Sequence, residues 1–261
     1  MTSAPITYRS YLRLPELLDL QSPLSEAHDE LLFLTIHQAS ELWMKLCLHE
    51  LEAARASIVA DALDPAFKMM ARVSRIQTQL IQSWEVLSTM TPADYSAMRG
   101  ALGTSSGFQS DQYRRLEFIL GNRKPALANL YPDEPAIGET LRAELARPSL
   151  YDEAIRLLAR RGFALSGERD WAEPYAASPA VEAAWRAVYA DPARYWDLYE
   201  LAEKLVDLEH HVQLWRFGHL KAVERVIGFK TGTGGTTGVH YLAAVLEQQF
   251  FPELLSVRTA L

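Results

Sequence analysis

The chain has 261 residues, 49% of them hydrophobic and 23% charged, with a formal net charge of −7. That length can bury a sizeable core, and the composition excludes disordered and collagen-like chains. The negative balance argues against nucleic-acid binding, which draws on clustered positive charge. A single cysteine, Cys47, rules out an intrachain disulfide and any multi-cysteine zinc site.

The longest apolar runs, as at 31–34, are far short of the ~18 residues that span a bilayer. The N-terminal stretch lacks the apolar segment of a secretory signal. The expectation is a cytoplasmic protein with no membrane association. Residues 25–60 carry apolar side chains at three- and four-residue steps, predicting a long amphipathic helix. A second helix is predicted from about 65 to 90. Thr91-Pro92-Ala93-Asp94 then reads as an N-cap, a first-turn proline and a first-turn acid. They open a helix that carries Tyr95 and stops near Gly103. A short helix over 111–120 ends at Gly121-Asn122.

Between 124 and 177, prolines at 125, 132, 135, 148 and 174 cut the chain into shorter pieces, with helical spacing again over 150–164. A long helix is predicted from about 194 to 227, closed by Gly228. Residues 232–238 form a glycine- and threonine-rich loop, followed by a last helix around 239–249. No alternating run of β-branched residues builds a sheet, and no solenoid repeat is present. The expected fold is all-α: a single helical-bundle domain over 1–261 with a small helical insertion near 123–180.

Leu201, Leu205, Leu208, Val212, Trp215, His219, Ala222 and Val226 recur at steps of four and three, forming one inward stripe with a histidine inside it. A second stripe, Phe33, His37, Ser40, Met44, Cys47, Leu51 and Ala54, turns another histidine inward. Each histidine alone reads as a core residue bonded to a neighbour, because an unpaired buried imidazole costs a few kcal/mol. Together, among aromatic side chains on two long helices, they also fit a haem site, one imidazole on the iron and the other facing the open side. Without a Cys-x-x-Cys-His, such a haem would be held non-covalently. Cys47 reads as packing before thiolate ligand. None of the seven histidines follows a glutamate by three, so a di-iron or zinc site is the weaker metal reading.

Tyr95 and Arg99 lie four apart and project side by side. They read either as a receptor for a carboxylate or as a solvated arginine over a packed tyrosine. The loop 232–238 lacks the third glycine of a dinucleotide fingerprint and the Gly-Lys of a phosphate loop. A mobile lid with Thr233 as a ligand contact and a plain surface connector both fit it.

The segments TYRSYLRL (7–14), HDELLFLTIHQASELWMKL (28–46), TPADYSAMRGALGTSSGFQSDQYRRLEFILGN (91–122), LVDLEHHVQLWRFGHLKAVERVIGFKTGTGGTTG (205–238) and FFPELLSVRT (250–259) occur in this order. In these segments the chain resembles the tryptophan 2,3-dioxygenase family across nearly its whole length, most loosely over 123–180. The resemblance implies a helical homotetramer, a dimer of dimers, with one haem b per subunit. His219 would be the iron ligand, and Trp84, Ser106 and Gly107 would line the haem. On the opposite face, His37 would be the catalytic-site residue that meets the indole N–H. Phe33, Leu34, Thr35 and Ile36 would line the substrate, Tyr95 and Arg99 would hold its carboxylate, and Thr233 its ammonium. Tyr8, Tyr11 and Leu12, in an N-terminal segment 1–20, would close a neighbouring subunit's pocket.

The implied reaction is cleavage of the indole C2–C3 bond of L-tryptophan by O2 to N-formyl-L-kynurenine, the first step of the kynurenine route. The chain departs from the family pattern at Ile36, commonly glutamine, and at Gly218, often basic. Rival readings are an indole monooxygenase, for which the carboxylate receptor is superfluous, and a haem sensor or carrier.

Overall fold

Stripes of apolar residues this long become helices whose inner faces seal one another. The computed structural model describes residues 5–235 and 237–261. Residues 1–4 of the expected N-terminal segment, and Thr236 of the glycine-rich loop, lie outside the described residues. In chain order the helices are α1 (Tyr8–Tyr11), α2 (Leu14–Leu17), α3 (Glu30–Val59), α4 (Leu63–Leu87), α5 (Pro92–Leu102) and α6 (Asp111–Leu120). They continue as α7 (Pro135–Leu145), α8 (Leu150–Arg160), α9 (Pro179–Ala190), α10 (Trp196–Ile227), α11 (Val239–Leu246) and α12 (Pro252–Ser256). No strand occurs among the described residues, and the fold is all-α as expected.

The turn at 60–62, with Asp61 in the left-handed region at φ 57°, folds α4 back along α3. α4 packs against both α3 and α10. Leu51, Ala54 and Ile58 of α3 meet Ala66, Met70 and Val73 of α4 and Leu201, Leu205 and Leu208 of α10, all fully buried. Trp185 of α9 is equally buried in this core. None of the described helices is long and apolar enough to cross a membrane.

Four helix ends differ from the sequence pattern by three residues or more: α4 stops at Leu87 rather than 90, α8 at Arg160 rather than 164, and the other two have a visible reason. α3 starts at Glu30 rather than near 25, because the Glu30 carboxylate turns back to accept from the amides of Leu24 and Ser25, at 2.6 and 2.8 Å. Residues 20–29 are thereby held off the helical path. α11 stops at Leu246 rather than 249, because side chains of α10 claim the backbone beyond it. Gln213 Nε2 donates to Gln248 O at 2.7 Å, and Glu209 accepts from the amides of Phe250 and Phe251.

The segment 123–180 divides in two. Ala128, Tyr131, Leu141 and Leu145 close a small cluster on Phe118. α8, by contrast, delivers Leu150, Tyr151, Ala154, Leu157 and Leu158 into the main core. A buried ion pair between Arg55 and Glu144, 2.5 Å, ties α7 to α3.

Candidate active site

The capping box predicted at Thr91 is present: its hydroxyl accepts from the Asp94 amide, and the Asp94 carboxylate accepts from the Thr91 amide. That fixes where α5 begins, and so where Tyr95 and Arg99 point. The packed cluster of Met90, Met98 and Val226 joins the α4–α5 corner to the end of α10, and Phe33 and Tyr95 lean on it.

Both histidine stripes change character at the same end of the bundle. On α10, Leu201, Leu205, Leu208 and Val212 are buried and so are Ala222 and Val226, yet Trp215 and His219 between them are only partly covered. On α3, Met44, Cys47, Leu51 and Ala54 are buried, whereas Phe33, His37 and Ser40 are partly open. The stripes therefore seal the core over most of their length and become partly exposed around His37 and His219.

The two imidazoles sit in different chemical settings. His37 Nδ1 lies 2.7 Å from the Phe33 carbonyl oxygen. An oxygen acceptor there makes Nδ1 the protonated nitrogen of a neutral ring, which leaves Nε2 with a free lone pair. Burial holds the His37 pKa down, against the opposing pull of that hydrogen bond. The Phe33 ring lies over it at 4.1 Å between centroids, and Tyr95 lies 6.5 Å beyond Phe33.

His219 is not among the histidines whose ring nitrogens hydrogen-bond to described residues, which are His37 and His211. Burial, with the nearby His37 adding to it, pushes its pKa down to about 4, so the ring is neutral at neutral pH. Trp84 stacks on it, 4.6 Å between centroids and 6° between planes, and Trp215 lies 5.8 Å away. Trp84 Nε1 in turn donates to Trp215 O at 3.1 Å. Gly218 makes this stack sterically feasible, since a Cβ there would stand 2.8 Å from Trp84 Cδ1. The glycine flagged as a departure from the family pattern is thus a seat for an indole.

Arg99 donates through Nη2 to Thr231 O at 2.8 Å, and its guanidinium lies 5.9 Å from the Tyr95 ring centroid. Among the described residues no carboxylate pairs with it, which leaves the rest of its five-donor fork for a ligand. Thr233 Oγ1 donates to Ser105 O, joining the glycine-rich loop to the 103–110 segment. Ser106 caps the turn at 107–109 by accepting from the Phe108 amide, and a Cβ at Gly234 would meet the Ser106 side chain at 2.6 Å. Gly107 in that turn is exposed.

Phe33, His37 and Tyr95 thus gather around one opening, with Arg99 beside Tyr95 on α5. Trp84 and His219 stack on one another, and Thr233 meets the serine loop that carries Ser106. Leu34 and Ile36 are half-buried on the flanks of α3, but Thr35 is exposed and lies about 160° round the helix from His37. Tyr8, Tyr11 and Leu12 are 76, 75 and 40% exposed and belong to no buried cluster among the described residues. Cys47 is fully buried with its thiol pushed up to about 12 by burial and then by Glu50, a packing residue and no thiolate. Sequence reasoning placed Trp215 only in the inward stripe, without its buried indole N–H that has no partner among the described residues, and it missed Arg216, which binds two other helices.

Fold and site together define an all-helical protein that gathers two imidazoles, indole rings and a guanidinium with no carboxylate partner among the described residues at one end of its bundle. The model of the tryptophan 2,3-dioxygenase family matches residues 1–173 and 167–261. A tryptophan 2,3-dioxygenase of Erythrobacter litoralis is 65% identical over 259 residues, covering 98% of each chain. One from a Bradyrhizobium species is 58% identical over 98% of this chain and 93% of its own. One from Burkholderia pseudomallei is 58% identical over 99% of this chain and 86% of its own. The chain belongs to the tryptophan 2,3-dioxygenase family.

Proposed function

We propose that this chain cleaves the indole C2–C3 bond of L-tryptophan with O2, giving N-formyl-L-kynurenine, and that it holds haem b on His219. The observation that carries the reading is the pair of neutral imidazoles at one opening: His219 bonded to no described group, His37 with Nδ1 committed and Nε2 free. A neutral, desolvated imidazole is a donor that a haem iron would accept, and His219 is the residue that would hold it. No group of three or more His, Cys, Asp or Glu side chains gathers among the described residues, so this single donor suits a haem better than a bare ion. When bound, the haem iron supplies the O2 site and the redox chemistry; the chain's own residues supply position and exclusion of water.

Trp84 stacked on His219 fixes the plane of that ring. His37 Nε2 accepts the indole N–H, a positioning role that needs no proton transfer. Phe33 covers the indole. Arg99, backed by Tyr95, takes the carboxylate with the donors that Thr231 leaves free. Thr233 meets the ammonium from the loop. Holding the amino acid at both charged ends would fix the indole in one orientation at the site His219 would give the haem, and orientation alone lowers a barrier by several kcal/mol.

The exposed Tyr8, Tyr11 and Leu12 fit an arm that completes a neighbour's pocket in a homotetramer. The test is turnover of L-tryptophan under isotopically labelled O2 by the haem-loaded protein. Two labelled oxygen atoms in a ring-opened product support the reading. One labelled atom in an intact indole indicates a monooxygenase, and no tryptophan-dependent O2 uptake indicates a haem carrier.

A further inference from the structure

Arg216 stands one turn before His219, is 3% exposed, and is built into three elements at once. Its Nη2 pairs with Glu117 of α6 at 3.0 Å, and its Nε reaches the Tyr113 hydroxyl at 3.4 Å. Nη1 donates to the carbonyls of Val245 and Gln248, at 3.2 and 3.4 Å, at the end of α11. Its guanidinium lies 4.8 Å from the Phe250 ring centroid. Glu117 is itself buried and also accepts from Arg114 and Asn122, so the pair is fully engaged.

Two loops leave the elements that this arginine clamps. The 103–110 loop runs directly into α6, and the 229–235 loop lies just ahead of residues 237–238, which lead into α11. The loops then meet: Thr233 Oγ1 donates to Ser105 O, Gly234 lies against Ser106, and Phe108 packs edge-on to Tyr241 at 5.7 Å. Arg99 joins the same junction through Thr231 O. A planar fork with donors on two edges can hold an α6 carboxylate and α11 carbonyls in one register, which a point charge cannot.

We infer that Arg216 is a positioning residue that sets how the 103–110 and 229–235 loops meet, and so how Thr233 is presented to the substrate's ammonium. This rests on the reading given under Proposed function. It assigns specificity for the amino group to a side chain that touches no substrate.

The test compares the haem-loaded wild-type protein with Arg216→Lys, titrating L-tryptophan and indole-3-propionate, which keeps the carboxylate and lacks the ammonium. Both are followed by the haem absorption band. The expected result is unchanged haem content, L-tryptophan binding weakened about tenfold, and indole-3-propionate binding within about twofold of wild type. In turnover the loss falls on KM more than on kcat. Equal weakening of both ligands, or no weakening of either, overturns the inference.

Gln213→Leu removes only the 2.7 Å bond to Gln248 O and loosens the α11 branch alone. It is expected to shift selectivity in the same direction by a smaller factor, and no shift counts against the clamp even if Arg216→Lys fails to fold. A wild-type protein that binds no haem, or shows no spectral response to L-tryptophan, instead removes the functional reading beneath the inference.

Discussion

Gly218→Ala isolates the contact on which the His219 setting depends. Built at position 218, a Cβ stands 2.8 Å from Trp84 Cδ1 and 3.5 Å from Cγ. Ordinary carbon contact begins at ~3.5 Å, so the indole must retreat by roughly 0.7 Å. It has little freedom to do so: Nε1 is bound to Trp215 O at 3.1 Å, and the ring is stacked on His219 at 4.6 Å. Alanine in a helix interior gains ~1 kcal/mol over glycine. Overpacking costs ~1–3 kcal/mol, and a weakened buried hydrogen bond costs ~1 kcal/mol more.

The sum is a net loss of about 1–3 kcal/mol, or a Tm lower by roughly 3–9 °C for a chain of this size. Thermal unfolding followed by near-ultraviolet circular dichroism measures the loss and the disturbance of Trp84 together. In a Trp84→Phe background, where the smaller ring makes room, the same substitution should become neutral or stabilising. If Gly218→Ala stabilises the wild-type chain by ~1 kcal/mol and leaves the aromatic spectrum unchanged, helix propensity is the whole effect and the seat for Trp84 is refuted.

Arg99→Ala removes a guanidinium with no protein carboxylate to leave behind, so the fold should keep its Tm. Its KM for L-tryptophan should rise by the equivalent of ~2–4 kcal/mol, checked by steady-state kinetics. Substrates lacking a carboxylate should lose far less. Burial alone would raise the Glu52 pKa, yet hydrogen bonds and charge from Arg55, with Arg147 and Arg115, hold it down to about 2. A carboxylate whose folded pKa lies below its ordinary 4.5 adds stability that is fully present above pH 4.5 and is lost as pH falls through 2. With the side chain 25% exposed, that amounts to about 1–2 kcal/mol after screening. Glu52→Gln should therefore flatten the stability curve between those pH values, measured by urea unfolding across the range.

The long helices were legible because their apolar steps are local and repeat for many turns, and the cap at Thr91 was legible from four residues. The two inward histidines were visible for the same reason. What their stripes did not reveal was where they stop being core, since the opening at Phe33, His37, Trp215 and His219 depends on how α3, α4 and α10 are set against one another. In the sequence Gly218 was only a departure from the family pattern. Its purpose appears only when Trp84, more than a hundred residues earlier, is brought against it. Arg216 resembled any arginine in a mixed stretch until Glu117 and the end of α11 closed on it. The start of α3 and the end of α11 were set by side chains reaching along the chain: Glu30 back to residues 24 and 25, and Glu209 and Gln213 forward to residues 248–251. Such reach leaves no periodic trace.

The most direct test of the account is haem titration of the purified apoprotein beside His219→Ala, read by the Soret band and by the resonance Raman signature of an iron–histidine bond in the ferrous state. One haem per chain with that signature in the wild type, and its loss in a His219→Ala protein of unchanged helical content, is the predicted result. Equal affinity and the same iron–histidine signature in both proteins would contradict the account, because the iron would then be held by another side chain.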